Sequence, residues 1–119
     1  MKKALVFMIA LFGLNALAHA NCDNRVGEAY QIKNGKIKKV NAKILECSIT
    51  FSEVMGQVTF PNGVEFISHY EQDKGSYERL NNQKVIEVKA PPKLEKDFYR
   101  CVTNKALQRK KEAYCFKIL

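Results

Sequence analysis

Tryptophan is absent from the chain, proline occurs three times and histidine only twice. Once the first twenty residues are removed, His69 is the single remaining imidazole. That scarcity excludes a histidine triad, a two-histidine zinc site and a two-histidine iron site. No G-x-x-x-x-G-K-S/T, G-x-G-x-x-G or G-x-S-x-G occurs, so the phosphate cradle, the dinucleotide fingerprint and the nucleophile elbow are all missing. The four cysteines fall at 22, 47, 101 and 115, with no C-x-x-C among them, which weakens a thiolate metal site. Arginine is also sparse: four residues against sixteen lysines. Phosphate and base recognition draws on the planar guanidinium fork, so specific nucleic-acid recognition is not expected.

What is present begins with an export signal. Met1-Lys2-Lys3 is a short basic start, Ala4–Leu14 is an apolar run of eleven residues, and Ala18-His19-Ala20 is a small-x-small cleavage site. A membrane-spanning helix needs about twenty apolar residues, and Asn15 interrupts this run too early. Residues 1–20 are therefore read as a cleaved signal peptide and residues 21–119 as one disulfide-stabilised domain with no transmembrane segment left after cleavage. Asn21 precedes Cys22, which places the thiol at the second mature position, unlike a lipoprotein cysteine. The expected location is periplasmic or secreted. In such an oxidising compartment an even number of cysteines in a short chain implies disulfides.

Strand signals dominate the first seventy mature residues. Asn34-Gly35 is a two-residue hairpin signal that sets Ile32 opposite Ile37. The apolar parity then switches between Ile44 and Leu45, which predicts a bulge or break there. In Val58–Phe66 a three-residue loop, Pro61-Asn62-Gly63, pairs Phe60 with Val64 and Val58 with Phe66, whereas a two-residue loop would spoil both faces. Asp73-Lys74-Gly75 and Asn81-Asn82 are further turns. After Pro91-Pro92 the period becomes helical, with Leu94, Phe98, Cys101, Val102 and Ala106 on one arc, predicting a helix over about 93–112. The expected fold is α+β: an antiparallel β-meander of about five to six short strands with one C-terminal helix packed on the sheet, stapled by two disulfides. Packing that helix on the strand carrying Cys47 favours the bridges Cys47–Cys101 and Cys22–Cys115 over Cys22–Cys47 with Cys101–Cys115.

Gly56-Gln-Val-Thr-Phe-Pro-Asn-Gly-Val-Glu-Phe66 resembles one unit of the MORN repeat, a hairpin repeat built around a Gly…aromatic…Asn-Gly pattern. The resemblance covers eleven residues, Phe66-Ile67-Ser68 replaces the Tyr-x-Gly that follows in that family, and no second unit occurs. It implies a common hairpin solution and no function.

Charge is partitioned along the mature chain, which without Lys2 and Lys3 carries 18 bases, 12 acids and a net +6. Residues 21–45 balance at +4, 46–88 at −4 and 89–119 at +6. Lys33, Lys36, Lys38, Lys39 and Lys43 form one basic cluster, and Lys105, Arg109, Lys110 and Lys111 another. They are candidates for an anion-binding surface, against the plainer reading that lysines protect strand edges and complement a helix end. In the acidic middle, Glu65, His69, Glu71 and Asp73 share one strand parity, with Glu78 nearby. They read more simply as the solvated outer face of a sheet than as an acid/base or metal constellation. No catalytic or metal residues and no cofactor are assigned.

These features favour a small, basic, soluble exported protein that binds or inhibits another protein without catalysis. The alternatives are an electrostatic binder of anionic envelope polymers or lipids through the two lysine-rich clusters, and a hydrolytic or toxic effector with a site around His69. Exported material is expected to begin at Asn21 without lipid. Intact-mass measurement checks this, and an acylated Cys22 or retention of residues 1–20 would overturn it.

Overall fold

A computed structural model describes residues 21–118, so the signal-peptide assignment lies outside the described residues. Nine strands follow one another: β1 (Asn21–Lys33), β2 (Lys36–Thr50), β3 (Glu53–Thr59), β4 (Glu65–Glu71), β5 (Gly75–Leu80), β6 (Gln83–Lys84), β7 (Ile86–Val88), β8 (Arg100–Thr103) and β9 (Glu112–Phe116). Two short helices interrupt them, α1 (Pro92–Lys96) and α2 (Lys105–Arg109). The spatial order is β6-β5-β4-β3-β2-β1-β9-β8-β7, with antiparallel pairing between the neighbours. The two ends of that order, β6 and β7, are joined in the chain by Val85 alone. The sheet therefore curls until its edges meet, giving a nearly closed barrel. This replaces the expected five- or six-stranded meander with a packed C-terminal helix.

The hairpins form as their turn residues dictate. Asn34 and Gly35 adopt φ of 52° and 80°, the left-handed pair of a type I′ turn, and Ile32 faces Ile37. The Phe60 amide donates to the Val64 carbonyl at 2.8 Å and Gly63 sits at φ 93°, so the loop is the three-residue one, with Val58 opposite Phe66. Asn81 and Asn82, at φ 50° and 62°, turn β5 into β6.

Alternation puts Ala42, Ile44, Val58, Phe60, Phe66 and Phe116 into one buried cluster inside the barrel. Ring pairs organise it: Phe60 meets Tyr114 edge-on at 4.9 Å, and Phe66 lies 4.5 Å from Phe116. Burial and a hydrogen bond donated to Glu112 push the Tyr114 hydroxyl up to about 12. The expected bulge at Ile44/Leu45 is not there. The β2–β3 register runs unbroken from Lys43 to Ser48 and shifts only between Ser48 and Thr50. Cys47 is buried beside its own disulfide, Leu45 and Ile49 are half-buried, and Phe51 is exposed beyond the end of β2, so the odd-numbered apolar residues need no change of backbone.

The expected helix over 93–112 is also absent. Its apolar spacing fits a helical wheel, but Tyr99, Cys101, Val102 and Thr103 suit an extended chain equally well, and pairing with β9 and β7 decides the matter. Phe98 ends α1 in the left-handed region at φ 65°, with Tyr99 N–H donating to Leu94 O and Phe98 N–H to Glu95 O. That is a Schellman stop with a phenylalanine where glycine is usual. Without a helix spanning Cys101, nothing carries it to Cys47. The bridges are Cys22–Cys47 and Cys101–Cys115, each between directly opposed residues of adjacent strands, with Cα atoms 4.0 Å and 4.1 Å apart. This corrects the favoured pairing of Cys47–Cys101 and Cys22–Cys115. Cys101 and Cys115 join Leu94 of α1 in a second small core, against which Tyr30 and Tyr99 pack.

The barrel seam is closed by side chains. Arg100 on β8 donates two bonds to Glu78 on β5, at 2.8 and 2.7 Å, and two to Glu87 on β7, at 2.9 and 2.8 Å. Asn104 adds a bond from its Nδ2 to the Leu80 carbonyl at 2.8 Å, while its Oδ1 caps α2 through the Leu107 amide. Arg100→Ala is expected to cost about 2 kcal/mol, between an exposed and a buried ion pair. The Arg100 bonds hold the Glu78 carboxyl below the usual 4.5, so their contribution is present above that value and lost as pH falls through the folded one. Denaturant titration should show a wild-type advantage at pH 7 that shrinks under acid; an advantage unchanged in acid would place the effect elsewhere.

Candidate functional site

The two basic clusters come from distant parts of the sequence and meet at one end of the barrel. The β1–β2 hairpin carries Lys33, Lys36 and Lys38 on or beside its tip. The α2–β9 turn carries Arg109, Lys110 and Lys111. The Asn34 amide donates to the Lys111 carbonyl at 3.0 Å, and β1 pairs with β9 from Tyr30 to Lys33. Lys111 itself adopts φ 57° at the stop of α2, which turns the chain back into β9 beside the hairpin tip. The result is one basic pole.

Not every lysine of the clusters belongs to it. Lys43 lies seven residues along β2 from Lys36, roughly 24 Å at strand rise. Lys105, at the start of α2, lines a separate recess with Gln83, Lys84 and Ile86. Two of the bases have acidic partners: Lys33 sits 3.7 Å from Glu112 and Lys39 3.6 Å from Glu28. Lys36, Lys38, Lys43, Lys105, Arg109, Lys110 and Lys111 are exposed, with no ion-pair partner among the described residues. Lys33 and Lys36 face each other directly across the turn, an arrangement of like charges that costs stability in a sheet.

At the other end the barrel gapes. β1 pairs with β9 only at its last four residues, so Asn21–Ala29 have a strand neighbour on one side alone. The mouth holds a cavity of about 370 Å³ lined by Glu46, Val54, Gly56, Ser68 and Ile118 among others. A Cβ on Gly56 would lie 3.1 Å from Ser68 Oγ and 3.2 Å from Ile118 Cδ1, so glycine is what lets the C-terminal tail approach. Arg25 spans the rim, 2.6 Å from both Asp23 and Glu46, and these bonds raise its pKa above the ordinary value.

The acidic middle divides between two faces. Glu65, His69 and Glu71 project to the outer face of β4, as their parity implies, while Asp73 lies in the following turn and Glu78 points to the seam. Glu53, which the sequence reading passed over, is the cross-strand partner of Glu71. Its Oε2 lies 2.6 Å from His69 Nε2. The missed signal was register: once Val58 faces Phe66, counting back five residues along β3 brings Glu53 opposite Glu71. All four cysteines are bridged, so no thiol nucleophile accompanies this histidine. No helix among the described residues is long and apolar enough to cross a membrane. Comparison with protein-family models, with curated proteins and with solved structures gives no match.

Proposed function

We propose that this chain is an exported, non-catalytic binding protein of the periplasm or the extracellular space, and that it holds an acidic face of another protein against its basic pole. The contact between Asn34 and Lys111 carries this reading, because it merges two clusters that are some seventy residues apart in sequence into one surface. Two disulfides fit an oxidising compartment. The unpaired bases, and the lysines opposed across the turn, leave positive charge that an anionic partner would neutralise. The predominance of lysine favours a second reading, attachment to anionic lipid or envelope polymer. A hydrated ammonium on a flexible stem neutralises charge without demanding the geometry that a guanidinium fork selects.

Capture from an envelope extract at low and at high salt tests the pole. The triple variant Lys36→Glu, Lys110→Glu, Lys111→Glu is expected to lose the partner, and high salt to release it from the wild type. Vesicles rich in anionic lipid separate the readings. If lipid is the partner, at about 1 kcal/mol per lysine the triple variant should bind them on the order of 100-fold more weakly. Wild-type capture by the triple variant would remove the basic pole from consideration.

A further inference from the structure

We propose that Glu53, His69 and Glu71 form a binding site for a divalent transition-metal ion of the zinc class, on the outer face of the β3–β4 ladder. One donor atom from each residue lies within 4.8 Å of the other two. A zinc ion bound tetrahedrally at about 2.0–2.2 Å to imidazole nitrogen and carboxylate oxygen holds its donors roughly 3.4 Å apart, about 1 Å or more inside that limit. Closing the set calls for side-chain rotation at all three residues, each of which is half-buried and not locked in the core.

Three observations support the site beyond proximity. Glu53 and Glu71 are directly opposed in the register, and like charges so placed destabilise an antiparallel pair unless a cation lies between them. His69 Nε2 already approaches Glu53 Oε2 to 2.6 Å, so an ion drawing on both atoms would replace that hydrogen bond and part them by roughly 1 Å. The ladder beneath is continuous from Glu53↔Glu71 to Thr59↔Glu65, and the Gln72 amide closes it beyond the site by donating to the Ser52 carbonyl at 2.9 Å. The donors are thus held on a fixed frame. Side-chain exposures of 23%, 35% and 34% for Glu53, His69 and Glu71 leave open coordination positions for water.

The donor set selects the ion. An imidazole with two carboxylates suits zinc and its neighbours better than calcium, which calls for six to eight oxygens. Lys74 is the competing cation, its Nζ 3.8 Å from Glu71 Oε1. Its removal should strengthen metal binding.

Calorimetric titration of the untagged, disulfide-bonded protein with zinc tests the site. Saturable one-to-one binding is expected, about tenfold or more weaker in His69→Ala and in Glu71→Gln, and undiminished in Lys74→Ala. Glu65→Gln, two pairs further along the outer face, should bind as the wild type does. Cobalt added to the isotopically labelled wild-type protein supplies a reading that needs no variant: amide resonances around 53, 69 and 71 should broaden before any others. Absence of saturable zinc binding, wild-type affinity in both ligand variants, equal affinity for calcium, or broadening that begins elsewhere would overturn the assignment.

Discussion

A sheet that nearly closes must still satisfy the edges it brings together, and here a single guanidinium carries most of that requirement. β6 and β7 are two and three residues long and cannot supply a ladder between them. Arg100 spans the gap with two charge-assisted bonds to Glu78 on β5, while two more to Glu87 hold its guanidinium against the neighbouring β7. The fork is well suited to this, since each nitrogen pair matches one carboxylate and the planar group lies 5.5 Å over the Phe66 ring at the edge of the core. Interior packing then depends on closure: Phe66, Leu80 and Val102 are buried only because the seam brings β4, β5 and β8 around the same cluster.

Closure also sorts the charge. The balance of −4 over residues 46–88 is partly consumed at the seam by Glu78 and Glu87, and at the rim by Glu46. The basic ends of the chain give Arg25, Lys33, Lys39 and Arg100 to ion pairs, and the pairing of β1 with β9 brings the remaining exposed bases of β1–β2 and α2–β9 side by side. A linear partition thus becomes a basic pole carrying Lys36, Lys38, Lys110 and Lys111, with further exposed lysines such as Lys43 and Lys105 outside it. The hydrogen bond from Asn34 to Lys111 costs one backbone donor and fixes the relative position of two turns.

How much of this was legible in the sequence varies with the range of the interactions involved. Turns at Asn34-Gly35 and Pro61-Asn62-Gly63 were readable because φ preference and register act over a few residues. The segment after Pro91-Pro92 misled because Leu94, Phe98, Cys101, Val102 and Ala106 satisfy a helical period by spacing alone. Its strand identity comes from partners at Ile86–Val88 and Glu112–Phe116, which no local window contains. The disulfide error followed from that misplaced helix: both pairs are plain cross-strand neighbours once β8 is a strand. The lysine clusters were visible as clusters, but their convergence required the β1–β9 pairing. Glu53 illustrates the same limit, being readable only after the β3–β4 register is known.

Both covalent bridges join strands that are already neighbours in the sheet, Cys22–Cys47 across β1 and β2 and Cys101–Cys115 across β8 and β9. Neither crosses the gap between β5 and β8. The only covalent connection across that gap among the described residues is the chain itself at Val85. Away from Val85 the seam is thus held by side-chain bonds and core packing alone, and loss of the Arg100 bonds would let the two edges part there first. Both disulfides would survive that parting, so the seam is the part of the barrel whose opening is governed by charge and pH rather than by redox state.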